Sequence, residues 1–462
     1  MSAEGRSAPR PESGRVVITG MGAITPSGND VDSLWDSVVT GRSAISVLEG
    51  EQFVDLAVRI GGQVSDFDAE AILPRALARR LSPVQHWAIA AADQALAQAG
   101  IISPGAGAKT GAGAKTGAGA KTGAGAQTDD ADAGDLAWDR SRVAVIAATG
   151  SGPVDAMQNA TRSLLDAGPR TVPLTLAIHG APDSAAALLS QRFDFRGPGQ
   201  GVSATCASGA IGLGEGMRRI RHGYADAVLV VGMEDCLNPV NLASNANMRA
   251  LAAGFEDDPT SASRPFDSAR SGFVMSQGAG AILLESEAGA AARGATVLAE
   301  LAGFGAASDA HHPTNPHPDG RGAASAMSEA LADAGMVPES IDHINAHATG
   351  TPAGDAAELN ALDSALGAPA HSIPITATKS STGHLLGASG VVEAIIAIRT
   401  MAEQTLPPTL NLETCEFDGW DIVTGQARAV HHSEKPIDTV LSTSFGFGGH
   451  NGAIILRRPR TD

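Results

Sequence analysis

The sequence predicts an α/β fold of two similar halves, and three observations carry that expectation. Strand and helix patterns alternate along the chain, as they do where helices pack on layered sheets. The strand candidates, among them Arg142-Val-Ala-Val-Ile-Ala-Ala-Thr-Gly150 and Ala227-Val-Leu-Val-Val231, are continuous apolar runs. Such runs suit parallel-type sheets covered on both faces. Two local patterns also recur. Ala147-Ala-Thr-Gly150 is echoed by His347-Ala-Thr-Gly350. The strand–turn–helix around Cys206 is echoed by Ile375-Thr-Ala-Thr-Lys-Ser-Ser-Thr-Gly-His384, with a helix expected over Leu385 to Ile398.

Taken in order, residues 1–14 are polar and rich in Pro and Gly, and read as a loose tail. A first half then spans 15–290. Arg15-Val-Val-Ile-Thr-Gly-Met-Gly22 is a strand entering a glycine turn. Its Gly-x-Gly lacks the third glycine of a dinucleotide fingerprint, so that reading is set aside. Asp30 opens a helix through about Val39, with Val31, Leu34, Trp35 and Val38 on its apolar face. Ser82 to Gly100 is a second helix. Within 103–135, Gly-Ala-Gly-Ala-Lys-Thr repeats and then an acidic run follows. Such repeats have too little side chain to form a core and read as an insertion. The second half spans 291–462.

With 462 residues, 43% of them hydrophobic, the chain can bury a large core. A net charge of −18 argues against nucleic acid and anionic membranes as partners. Three cysteines make no disulfide framework, which points to a reducing cytoplasm. No apolar run reaches membrane-spanning length, and no metal-ligand spacing stands out.

Chemistry concentrates at Gly201-Val-Ser-Ala-Thr-Cys-Ala-Ser-Gly-Ala210, a turn that opens a helix over Ile211 to His222. A thiol at a helix start feels the positive end of the dipole, which predicts a lowered pKa and a nucleophilic Cys206. A free cysteine is more often a small buried apolar residue. His347 after a buried strand, and Lys379 with His384 in one turn, read singly as structural. Together with Cys206 they fit a thiolate that becomes acylated beside imidazoles that bind an oxyanion.

These motifs closely resemble the elongating β-ketoacyl-acyl carrier protein synthases of the type II system, ketosynthases of the thiolase superfamily. The matching residues are Val17-Ile-Thr-Gly-Met-Gly22, Thr205-Cys-Ala-Ser-Gly209, Arg264-Pro-Phe-Asp267, Asn345-Ala-His347 with Thr351-Pro-Ala-Gly-Asp355, Lys379-Ser with Thr382-Gly-His-Leu-Leu-Gly-Ala388, and Ser444-Phe-Gly-Phe-Gly-Gly449. The resemblance implies a thiolase-like fold, two duplicated α/β halves packed as α-β-α-β-α layers. It implies acyl transfer to Cys206, then decarboxylative Claisen condensation with a malonyl thioester oriented by His347 and His384. It also implies an oxyanion hole from the Cys206 and Phe447 N–H groups, support from Lys379, Asp355 and Glu358, and an acyl pocket gated by Phe447. Phe445, Pro153 and Met157 are expected along that pocket. The resemblance implies no cofactor beyond the phosphopantetheine arm of acyl carrier protein. The expected partners are that carrier and a second copy or a related ketosynthase-like chain.

Five positions depart from the family pattern. They are Ala348 for Gly, His450 for Thr, Ser271 for Asp, Ser276 for Gly and Gln277 for Glu. None removes a catalytic side chain. They leave fatty-acid elongation beside a specialised type II polyketide or unusual-lipid pathway as the alternative. A thiolase would need a second cysteine in the final glycine loop, which has none. A non-catalytic chain-length partner would typically lack the nucleophile present here. Arg75, Arg79 and Arg80 form a basic cluster in an acidic chain, an expected docking spot for an acidic carrier.

Overall fold

A computed structural model describes residues 14–103, 138–431 and 435–459. Apart from Gly14 and Ser103, the expected tail (1–14) and insertion (103–135) lie outside the described residues. Ten strands form the scaffold: β1 Val16–Ile24, β2 Val143–Ala148, β3 Gly199–Val202, β4 Ala227–Glu234, β5 Gly278–Ser286, β6 Ala299–Ser308, β7 His343–Asn345, β8 Ile375–Thr376, β9 Thr439–Gly446 and β10 His450–Arg457. The main helices are α1 Val31–Val39, α2 Pro83–Gln98, α3 Val154–Ala167, α4 Ser184–Phe193, α5 Ser208–Arg221, α6 Arg321–Ala334, α7 Pro352–Leu366 and α8 Ser389–Glu403. Helix starts follow the capping chemistry. Asp30 accepts the Ser33 N–H at 2.7 Å, and Ser82 with Gln85 closes a capping box ahead of Pro83.

The strand order shows the duplication more clearly than the sequence does. The first half runs β3-β2-β4-β5-β1 and the second β8-β7-β9-β10-β6, the same order shifted by five. Directions match too. In each half the first three strands are parallel and the last two are antiparallel additions. The sheets are therefore mixed, where parallel-type sheets are expected from the apolar runs. The runs report burial on both faces, which these antiparallel strands share; β4 and β5 are buried almost throughout. A three-residue pairing of β1 with β6 joins the halves.

Alternate residues along each strand face different layers. Ile146, Val230 and Leu284 face inward with Leu213 and Met217 of α5, Val391 and Ile395 of α8, and Val440, Ile454 and Leu456 of the second sheet. Val145, Val231 and Leu283 face outward onto α2 and α4. Leu441 and Ile455 face α6 and α7. The result is five layers, α-β-α-β-α, with α5 and α8 in the middle.

These two central helices meet at their first turns, backbone to backbone. A Cβ on Gly209 would lie 2.8 Å from the Val391 nitrogen, and one on Gly390 would lie 2.5 Å from the Ala210 nitrogen. Only glycine permits that approach. Gly390→Ala adds a better helix former, yet it should lower stability by about 2 kcal/mol, because overpacking against rigid backbone exceeds the propensity gain. A urea-unfolding midpoint at or above that of the wild type would contradict this packing.

Candidate active site

The helix pair brings two turns together. Before α5, Thr205 holds φ +50°, costly for a β-branched residue, and Cys206 follows in a single 3₁₀ turn. Before α8, Leu386 holds φ +44° in the same kind of turn. By position, Gly387 is thus the counterpart of Cys206, and Ser389 that of Ser208. The helix expected from Leu385 accordingly starts at Ser389. The Thr205 hydroxyl lies 2.9 Å from the Phe447 carbonyl, tying the β9–β10 turn to the nucleophile. Gly446 allows that closure, since its Cβ would sit 3.0 Å from the Cys206 nitrogen.

His347 follows β7. Its N–H donates to Glu358 Oε1 at 2.8 Å, and the Ala348 N–H to Glu358 Oε2 at 2.7 Å; Thr443 joins the same carboxylate at 2.6 Å. Asp355, on the same helix α7, accepts from Phe266 and Gly350 N–H and faces Arg270 at 3.6 Å. His384 is held through its backbone. Its N–H donates to the Val274 carbonyl at 2.8 Å, and its carbonyl accepts from Ser276 N–H at 2.9 Å. The two imidazoles stand edge to face with centroids 5.2 Å apart. Phe445 packs on His347 and Phe273 on His384.

Cys206, His347, His384, Phe445 and Phe447 all line one open cavity of about 710 Å³. Thr349 and Thr351 line it as well, as do Thr314–Pro316 of the loop after β6. Lys379 is buried below and ion-pairs with Glu393 of α8. Glu234, at the end of β4, accepts N–H groups from Gly150 and Ser151 and from Gly387, and so ties the loop after β2 to the turn before α8.

Burial governs the charges. It drives His347 and His384 well below the usual histidine range, helped by the Lys379 ammonium, so both imidazoles rest neutral. Burial also pushes the Cys206 thiol up to about 12. The Lys379 charge and the Phe447 and Cys206 N–H groups favour the thiolate without overcoming that desolvation. This corrects the expectation of a lowered thiol pKa: the helix start is in place, but the sulfur is buried. Burial likewise raises Glu393 to about 7, Asp355 to about 7 and Glu234 to about 6.

Other expected site residues lie apart. Pro153 is buried and Met157 is 52% exposed on α3; neither lines the cavity. Arg75, Arg79 and Arg80 are exposed at the short helical turn before α2, with Arg75 3.3 Å from Glu70, and also lie off the cavity wall. The departures have local roles. Ser276 Oγ donates to the Gly62 carbonyl at 3.2 Å. Gln277, with its amide oriented to satisfy both neighbours, bridges Asp235 and the Val64 N–H. A neutral amide there avoids setting a second carboxylate against Asp235, which burial has already raised to about 7. Ser271 and His450 are exposed. Sequence reasoning missed Glu234, Glu393 and Ser389. A lone carboxylate ending the apolar strand β4, and another inside the apolar face of α8, were the available signals.

The buried ion pair generates a pH-dependent prediction. Lys379→Met leaves Glu393 without its cation, so its folded-state pKa rises further above the unfolded value. The folded state then keeps a proton that the unfolded state loses, and stability falls as pH rises. The variant should lose about 3 kcal/mol relative to wild type at pH 8.5, the scale of an unpaired buried charge, and distinctly less at pH 6. Urea unfolding at both pH values checks it; a loss independent of pH contradicts it.

The chain matches the family described as "Beta-ketoacyl synthase, N-terminal domain" over residues 13–290, and its C-terminal domain over 298–413. Two relatives named 3-oxoacyl-(acyl-carrier-protein) synthase 2 are similar over nearly full length. One, from Synechocystis, is 38% identical over 97% of this chain and 99% of its own. One from Vibrio cholerae is 36% identical over 96% and 99%. A β-ketoacyl synthase from Burkholderia phymatum superposes with TM-score 0.82 at 31% identity, covering 97% of this chain and 100% of that one. A type II polyketide ketosynthase, solved with its acyl-carrier protein and a hexaketide, has TM-score 0.81 at 28% identity over 97% and 100%. With both domain matches, the duplicated five-layer fold, and one cysteine and two histidines on a single cavity, the chain belongs to the β-ketoacyl synthase family.

Proposed function

We propose that this chain is a 3-oxoacyl-acyl carrier protein synthase of fatty-acid elongation, joining an acyl group on Cys206 to a malonyl-derived carbanion. The observation that carries the reading is the shared cavity of Cys206 with two buried, neutral imidazoles. Neutral imidazole N–H groups suit an enolate oxygen, and decarboxylation makes the carbanion without a strong base. In the first half-reaction Cys206 sulfur attacks the acyl thioester carbonyl. Its proton leaves with the departing pantetheine thiolate, which suits a thiol that rests protonated. The Cys206 and Phe447 N–H groups hold the tetrahedral oxygen. In the second, the malonyl thioester loses carbon dioxide while His347 and His384 hold the enolate oxygen. The new carbanion attacks the Cys206 thioester carbon, and collapse returns the cysteine thiolate, which takes up a proton. Glu358 and Asp355 position the His347 loop, and Lys379 supplies charge beneath the site. Phe447, with Phe445, gates the acyl pocket.

The substrates ride on the phosphopantetheine arm of acyl carrier protein. Among the described residues no group of His, Cys, Asp and Glu is arranged for a metal, and no helix is long and apolar enough to cross a membrane. Three unpaired cysteines fit the cytoplasm. A second copy, or a related chain, covers the apolar side chains that α3 and its neighbours expose, namely Met157, Leu164, Leu165, Leu174 and Ile178. A polyketide role is the second reading, favoured by the likeness to the hexaketide-bound ketosynthase.

Intact mass after incubation with acyl carrier proteins of graded chain length tests the reading. Wild type should gain one acyl group and Cys206→Ala none. Saturated medium-length chains loading best support fatty-acid elongation; loading only from polyketone starters moves the enzyme to polyketide work. A carrier-docking test stands beside it. Reversing charge at Arg79 and Arg80 should raise the KM for acyl carrier protein about tenfold at low salt and flatten its salt dependence. An unchanged KM removes these arginines from the docking site.

A further inference from the structure

We propose that Ser389 is a positioning residue that fixes the tautomer of His384. The inference rests on the condensation chemistry proposed above. A neutral imidazole carries a single N–H, and only the nitrogen that bears it can hold an enolate oxygen. For His384 that nitrogen must be Nε2, because Nδ1 is turned away onto protein. Nδ1 lies 3.1 Å from Ser389 Oγ, and both residues are about 98% buried.

The direction of this hydrogen bond follows from counting partners. Among the described residues, the Ser389 hydroxyl makes no other side-chain hydrogen bond. If it accepted from an Nδ1–H, its own hydrogen would be buried without an acceptor, which is the more costly kind of orphan. It therefore donates, Nδ1 accepts, and the proton of the imidazole stays on Nε2, facing the cavity. Burial and the Lys379 charge keep the ring from taking a second proton that would erase the distinction.

The fold explains why a serine can serve here. Ser208 holds the equivalent place at the start of α5. There its hydroxyl is used on the backbone of its own turn, accepting from the Ala204 N–H at 2.8 Å and lying 2.6 Å from the Thr205 carbonyl. In the second half His384 enters the turn five residues before Ser389, and the same hydroxyl meets an imidazole instead. One duplicated position thus shapes the nucleophile turn in one half and sets a ring proton in the other.

Ser389→Ala removes the donor without adding volume. Decarboxylation of malonyl-acyl carrier protein and the condensation kcat should fall about tenfold, the value of one net hydrogen bond at its upper range, with KM unchanged. Loading of Cys206, read by intact mass, should keep its rate. Ser389→Cys, which keeps a weaker donor, should recover part of the loss. Nitrogen-15 spectra of histidine-labelled protein should show His384 as the Nε2–H form in wild type and a mixture in Ser389→Ala. Equal loss in loading and condensation, or an unchanged tautomer spectrum, overturns the proposal. A wild-type enzyme that neither loads nor decarboxylates overturns the ketosynthase reading instead, and the spectra then still decide the role of Ser389.

Discussion

The contact on which the rest depends is the backbone approach of α5 and α8 at Gly209 and Gly390. Each helix starts from a turn held at positive φ by a residue other than glycine; the first turn carries Cys206, and the second follows His384 by two residues. Close packing at the first turn of both helices brings those turns together, and one carboxylate ties the second of them to the loop after β2. Glu234 accepts N–H groups from Gly150 and Ser151 on one side and Gly387 on the other. An ion in that place costs desolvation, which three backbone donors offset. The strain at Thr205 is maintained by its surroundings. Its hydroxyl is anchored to the Phe447 carbonyl, and Gly446 leaves room for the turn.

The same burial sets the protonation states, and it acts oppositely on acids and bases. It holds both histidines neutral and the thiol protonated, so at rest the cavity presents uncharged donors. Negative charge then develops only when a thioester arrives, at positions already faced by N–H groups. A preformed thiolate would attract a proton or a cation between turnovers. Lys379 sits behind the histidines with its own counter-ion, Glu393, so its field reaches the cavity while its ammonium does not. Its charge and the dipoles of the turn lower the cost of the charged forms without making them the resting ones.

Much of this was legible in the sequence, and the reasons are local. Cys206, His347, Lys379 and His384 stand in short glycine-flanked turns whose residue types announce tight geometry. Apolar runs marked the strands, and their burial on both faces held. What was not legible depends on distance along the chain. Strand direction was misjudged because β4 and β5 carry the same burial pattern whether they pair parallel or antiparallel. The thiol pKa was misjudged because a helix start is visible in sequence, whereas desolvation by β9, β10 and α8 is not. The equivalence of Cys206 with Gly387 was hidden because His384 resembles the start of a turn that in fact begins two residues later.

Ser389 shows where that boundary falls. In sequence it is one more small residue in Gly387-Ala-Ser-Gly390, and nothing distinguishes it from Ser208 in Cys206-Ala-Ser-Gly209. Duplication places both hydroxyls alike, at the first residue of a central helix. Only the fold shows that one faces backbone and the other an imidazole nitrogen. Since a neutral histidine has one proton to place, the group that occupies Nδ1 decides what Nε2 can offer the substrate. Specific chemistry in the second half thus follows from which side chain the turn delivers to a position that both halves inherit.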